Sequence, residues 1–247
     1  MSFFKTKRRK RVFVTLAVTF SLLLALLIAS AIYLSDYYEA DEDKIAAFSS
    51  SIDGQYDDGK IIFEPLSETD TAFVFYPGGK VHYRAYIPLM QACAEEGILC
   101  ILYDMPFNLA VFDSDAADGI QNQFPKIKNW YIGGHSLGGS MAASFLADTK
   151  DSYSGLVLLG SYSTEDFSDS QIKVLSVYGS CDKVLDMADY NENKANLPSD
   201  FEEVVIDGGC HAFFGMYGRQ DGDGEPSVTN EEQIYMTADA IASFVGK

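Results

Sequence analysis

The sequence predicts an α/β domain, doubly wound around a mostly parallel sheet and preceded by one transmembrane helix. Three observations carry this. Apolar runs of strand length alternate with helix-like stretches from Lys60 to the C-terminus. Several runs, such as ILCILY (98–103) and GLVLLG (155–160), are apolar at nearly every position, as strands covered on both faces by helices must be. Residues 12–35 contain no charged side chain at all.

That apolar segment follows a basic flank in residues 1–11, with Lys5, Lys7, Arg8, Arg9, Lys10 and Arg11. Twenty-four helical residues rise about 36 Å, enough to cross a bilayer core of ~30 Å with some tilt. The positive flank stays in the cytoplasm, so the remainder is expected outside it, at the cell membrane. A signal peptide cut near Ala29-Ser30-Ala31 is the other reading. The apolar run is long for one, which favours the anchor. Beyond the segment stand 36 acidic residues against 12 basic ones. Such a surface repels nucleic acid and anionic headgroups, so no nucleic-acid partner is expected. Residues 36–59 are acidic and serine-rich and read as a solvated stalk.

With 247 residues, 47% of them hydrophobic, the chain can bury one core of ordinary size. Residues 60–247 therefore read as a single domain. Strands are expected at 60–63, 72–76, 98–103, 128–132, 155–159, 172–178 and 203–206. Helices are expected at 83–96, 114–122, 137–148, 184–194 and 231–245. Thr229 and Glu232 form a capping-box pattern ahead of the last helix. Strand–helix alternation implies right-handed crossovers and a mostly parallel sheet. Only about a dozen residues separate the strand ending at Leu159 from the one starting near Ile172, so no cap domain fits there.

The segment KNWYIGGHSLGGSMAASFLAD (128–148) reads as strand, turn, helix. A strand that turns directly into a helix at a serine strains that residue's backbone and needs glycine on either side. Ser136 lies in such a setting, between Gly134 and Gly138. The turn lifts its hydroxyl over the carboxyl edge of the sheet, making it a candidate nucleophile. A nucleophilic serine needs a base, and the base an orienting acid. Of three histidines, His211 follows the last strand at the same edge and is the candidate base. His135 adjoins Ser136 and reads as a packed core side chain, while His82 follows a glycine pair and could line the site. Asp182 follows the penultimate strand and is the candidate acid, with Asp207 as its rival.

The order Ser136, Asp182, His211, with its segments GHSLGG, YGSCDKV and GGCHAFF, resembles the α/β-hydrolase fold family over roughly residues 60–245. The resemblance implies a compact, cap-free α/β-hydrolase fold. Its implied activity is that of an esterase, lipase, thioesterase or dienelactone-hydrolase-like enzyme acting through an acyl-enzyme, without cofactor or metal. It also implies an oxyanion hole, one donor being the Leu137 amide. The other comes from the Tyr76-Pro77-Gly78-Gly79 loop; since Pro77 has no N–H, Gly79 or Lys80 is expected. Tyr83, Phe213 and Phe214 are expected to form an apolar substrate rim. Short acyl esters, small or polymer-attached, are the expected substrates. An acyltransferase, or a binding protein that keeps the fold without turnover, is the alternative.

The triad would make the loops of Cys181 and Cys210 neighbours, so a disulfide could join them, and Cys93 could bridge to Cys100. Residues 221–232 space oxygen ligands like a calcium loop, but Pro226 stands where the turn needs glycine. A helix-entry loop is the better reading.

Overall fold

The computed structural model describes residues 2–149 and 152–247, in two units that meet between Tyr37 and Tyr38. The first unit holds helix α1 (Ser2–Ser35). Its stretch Val12–Ser35 has a mean hydropathy of 2.7 and no buried residue. By length and composition this helix is a candidate membrane span, long and apolar enough to cross a bilayer.

The second unit begins at Tyr38, and here the expected stalk fails. Tyr38 forms a bridge with Val81, its N–H donating to the Lys80 carbonyl at 2.7 Å. Helix α2 (Glu42–Ala47) is capped by Asp41, and Arg84 donates from Nε and Nη2 to the two Glu42 oxygens at 2.7 Å each. Phe48 and Ile52 are buried in the core. A few apolar anchors and one arginine dock a segment whose net charge alone reads as solvated. Strand β1 (Gly54–Asp57), missed in the sequence because it is a short polar edge strand, pairs antiparallel with β2 (Lys60–Phe63).

The sheet continues with β3 (Thr71–Tyr76), β4 (Leu99–Tyr103), β5 (Asn129–His135), β6 (Gly155–Leu159), β7 (Lys173–Gly179) and β8 (Glu202–Ile206). The spatial order is β1-β2-β4-β3-β5-β6-β7-β8, parallel from β4 through β8. Alternation along each strand feeds two cores. Phe73 and Phe75 face helices α3 (Ile87–Glu95) and α6 (Asn230–Val245), meeting Leu89, Ile234 and Ile241. Val74 and Tyr76 face α4 (Leu137–Thr149), meeting Ala142, Ala143 and Leu146. The order reverses direction between β4 and β5, and sites in such sheets form at the carboxyl edge beside the reversal.

The strands match expectation to within a few residues; the helices do so less evenly. The expected helix at 114–122 is irregular, with 3-10 turns at Ala110–Phe112 and Ile120–Gln123. The buried Tyr76 hydroxyl intervenes, donating to the Ser114 carbonyl and accepting from the Ala117 amide at 3.0 Å each, and Gly119 turns left-handed. The 83–96 stretch opens as a 3-10 turn before α3, and 184–194 shortens to α5 (Met187–Asn193), capped by Asp186. The Thr229–Glu232 capping box starts α6 as expected. Between β6 and β7 there is no helix, so the sheet's carboxyl edge carries no cap there.

Candidate active site

Ser136 sits between β5 and α4 with φ of 52°, in the left-handed region that costs a serine about 1–2 kcal/mol. The crossing needs both flanking glycines. A Cβ on Gly134 would come within 2.4 Å of the Tyr76 carbonyl oxygen, and one on Gly138 within 2.2 Å of the Pro77 oxygen. The end of β6 and the loop after it hold the turn: the Ser136 N–H donates to Leu159 O at 2.9 Å, and Ser161 Oγ donates to Ser136 O at 2.7 Å.

His211 and Asp182 meet at the same edge. His211 Nδ1–H donates to Asp182 Oδ2 at 2.8 Å, both side chains being 1% exposed. The other Asp182 oxygen accepts from the amides of Val184 and Leu185, each at 2.9 Å, so both oxygens are fixed. His211 Nε2 is buried and has no hydrogen-bond partner. With Nδ1 donating, that nitrogen is free to accept a proton. Ser136 and His211 line one cleft of about 280 Å³, with Leu137, Tyr162, Val184 and Leu185. Asp207 is exposed and accepts from Ser180 Oγ instead.

The remaining expected residues divide. Gly79 lies against Leu137, so closely that a Cβ on Gly79 would be 2.8 Å from Leu137 Cδ2. Neither residue's amide donates to another backbone group among the described residues. The Lys80 amide is committed to the Asn108 carbonyl at 2.8 Å, which removes Lys80 as an oxyanion donor. The expected rim of Tyr83, Phe213 and Phe214 does not reach the cleft. Phe214 is fully buried, its ring 5.3 Å from that of His135. Phe213 lines a separate groove with Phe48 and Val228. Tyr83 stacks on His82 at 4.9 Å, and His82 too lies off the cleft lining. Aromatic content alone does not say which face of a loop each ring takes. The rim is Leu137, Tyr162, Val184 and Leu185.

His135 is a core side chain, as expected. Burial pushes the Tyr86 phenol above its ordinary range, so its O–H donates to His135 Nδ1 at 2.8 Å. Tyr86 Oη in turn accepts from the Gly78 amide at 3.1 Å, which ties the glycine loop to the serine turn. Burial, reinforced by the adjacent His211 ring, holds the His135 pKa well below the ordinary histidine value. The unfolded chain protonates this side chain near pH 6.5, the folded chain only at lower pH. Its contribution to stability is therefore full above ~6.5 and is lost as pH falls below that value. The stability advantage of wild type over His135→Gln is accordingly expected to shrink between about pH 8 and pH 5, read from thermal unfolding of both.

Sequence reasoning missed Asp223. Its carboxylate accepts from the Ala212 amide at 2.9 Å and the Lys183 amide at 3.3 Å, clamping the base loop to the acid loop. Burial opposes its ionisation, yet the amides of Ala212, Gly224 and His211 outweigh that and hold the carboxyl below its ordinary value. The one signal in the sequence was its place in the discarded calcium loop. Three of that loop's five acids are engaged within the protein: Asp223 on backbone amides, Glu225 on Arg219 and Glu232 in the capping box. Asp223→Ala is expected to lower kcat for ester hydrolysis about 100-fold with little change in KM, because a 1 Å displacement of a reacting group costs that much. Asp223→Asn, which keeps an acceptor oxygen, should restore part of it; equal losses in both variants would deny the clamp.

Neither of the two possible disulfides is formed. The Cys181 amide donates to Gly209 O at 2.8 Å, so the two loops are neighbours, yet all four cysteines are free. Burial, with Asp223 beside it, pushes the Cys210 thiol up to about 12.

A mostly parallel sheet with a serine on a sharp strand–helix turn at its carboxyl edge defines an α/β-hydrolase fold. The chain belongs to the Alpha/beta hydrolase family, whose model matches residues 72–235. The fold is similar to that of a dienelactone hydrolase from Anabaena variabilis, at 14% identity and a TM-score of 0.56, covering 78% of this chain and 96% of that one. Est1E from Butyrivibrio proteoclasticus is similar at 16% identity and 0.53, covering 81% and 100%. The Francisella virulence factor BioJ is similar at 15% identity and 0.59, covering 83% and 88%. No curated protein matches the sequence.

Proposed function

We propose that the protein is a membrane-anchored serine hydrolase that cleaves carboxylic esters, with its catalytic body outside the cytoplasm. One observation carries the reading: a left-handed serine shares a cleft with a buried imidazole that is oriented by a carboxylate and has a free nitrogen. In this reaction His211 Nε2 takes the Ser136 proton as Oγ attacks the ester carbonyl. Asp182 stabilises the imidazolium that forms. The amides of Leu137 and Gly79 receive the developing oxyanion, a contribution of about 3 kcal/mol per donor in enzymes of this kind. His211 then passes the proton to the departing alcohol. Water, deprotonated by the same nitrogen, attacks the acyl-enzyme and releases the acid.

An uncapped cleft of about 280 Å³ suits a short acyl group on a small or polymer-attached ester better than a long free chain. The basic flank ahead of the apolar stretch Val12–Ser35 supports the orientation. The test is incubation of the full chain with a fluorophosphonate, followed by mass mapping, and turnover of p-nitrophenyl esters of increasing length. Labelling at Ser136 with acetate or butyrate preferred to octanoate supports the proposal. No label and no turnover would leave the family's fold without its chemistry.

A further inference from the structure

We propose that Phe107, Val111 and Phe112 form a lipid-contacting face, resting in the surface of the bilayer that the N-terminal segment of this same chain spans. The inference rests on the anchor being retained, as proposed above. Four observations lead to it. The apolar segment ends at Ser35, and only Asp36 and Tyr37 precede Tyr38, where the folded body begins. Three residue steps reach at most about 11 Å even when fully extended, so whatever surrounds Tyr38 is held close to the bilayer.

Tyr38 is held at its backbone by Lys80 and His82 and at its side chain by Tyr217 and the Asp221 amide, and of these Lys80 leads to the apolar loop. Lys80 accepts the Tyr38 N–H at its carbonyl, and its own N–H donates to the Asn108 carbonyl. Lys80 therefore joins the root of the tether directly to the loop that carries the apolar side chains. Phe107, Val111 and Phe112 are 60%, 48% and 55% exposed, and the two phenyl rings meet edge to face at 5.6 Å. Elsewhere in the described body the exposed large apolar side chains are Tyr56, Leu66, Met187, Val205 and the neighbours Tyr235 and Met236. Phe107 and Asn108 both hold left-handed backbone, at φ of 56° and 55°, a strained arrangement that fixes where the loop points.

The sequence around the tether agrees. Tyr33, Tyr37 and Tyr38 flank the end of the apolar segment, where aromatic residues mark the membrane–water boundary. Exposed apolar clusters of this kind seat in the headgroup and acyl boundary. The acidic body disfavours anionic lipid, so the surface it fits is zwitterionic. Gly79 adjoins Lys80, so esters presented at that surface would lie near the candidate cleft.

The experiment uses the full chain in phosphatidylcholine vesicles with or without brominated acyl chains, which quench tryptophan on contact. The native Trp130 is buried and gives the background. Phe112→Trp reports the proposed face. Leu66→Trp is the control, since residue 66 precedes β3 and lies at the opposite edge of the sheet from Gly79. Emission from Phe112→Trp should shift to the blue and be quenched by brominated lipid, while Leu66→Trp should match wild type. Equal quenching of the two variants, or none in either, overturns the proposal. No turnover is measured, so the outcome is separable from that of the hydrolase reading.

Discussion

Ser136→Ala is expected to lower kcat for p-nitrophenyl butyrate by on the order of 10⁶-fold, the loss seen when the nucleophile of such a site is removed. The fold should survive, because the Ser136 backbone, not its hydroxyl, holds the turn: its N–H bonds Leu159 and its carbonyl receives Ser161. A companion variant sharpens the test. Ser136→Gly removes the same hydroxyl and also relieves the left-handed strain at φ 52°, so it should be as inactive yet more stable than Ser136→Ala by about 1 kcal/mol. Rates and urea unfolding of the three proteins check both statements. An active alanine variant would end the serine mechanism, and equal stability of the two variants would deny the strain.

Asp182→Asn is the second large effect. One Asp182 oxygen orients His211 and the other holds the amides of Val184 and Leu185. An asparagine can keep the amide contacts through its oxygen, but its NH₂ then faces Nδ1 and favours the wrong imidazole tautomer. A loss of about 10⁴-fold in kcat is expected with KM little changed, as for other triads. Asp207→Asn is the control, since that carboxylate contacts Ser180 rather than the histidine, and it should retain wild-type turnover. Full activity in Asp182→Asn would mean that His211 needs no orienting acid.

Local pattern carried the candidate triad a long way. Ser136, Asp182 and His211 were legible because each lies just beyond the end of a strand, and the ends of parallel strands lie on one edge wherever the chain runs between them. Position along a strand is a local property, written in apolar runs such as GLVLLG. The N-terminal segment was legible for a similar reason: 24 consecutive residues without charge have few other uses.

The failures share a different cause. Net charge over 36–59 predicted a stalk, whereas a few residues, Phe48, Ile52 and the partner of Arg84, decided that the segment docks. The 114–122 helix was lost to a hydroxyl on Tyr76, some 40 residues earlier. Phe213 and Phe214 were placed on the cleft because they follow His211, but adjacent side chains diverge and neither lines it. Lys80 was a donor by its place in the loop until Asn108 claimed its amide.

The sequence by itself determined which residues follow which strands, and so which three side chains share an edge. That information is periodic and local, and a single chain displays it. Only the tertiary structure decided which amides remain free, which rings face the cleft, and that Asp223 ties the acid loop to the base loop. Those outcomes depend on hydrogen bonds between groups tens of residues apart, each donor satisfied by whichever acceptor packing brings nearest, and no local pattern encodes that choice.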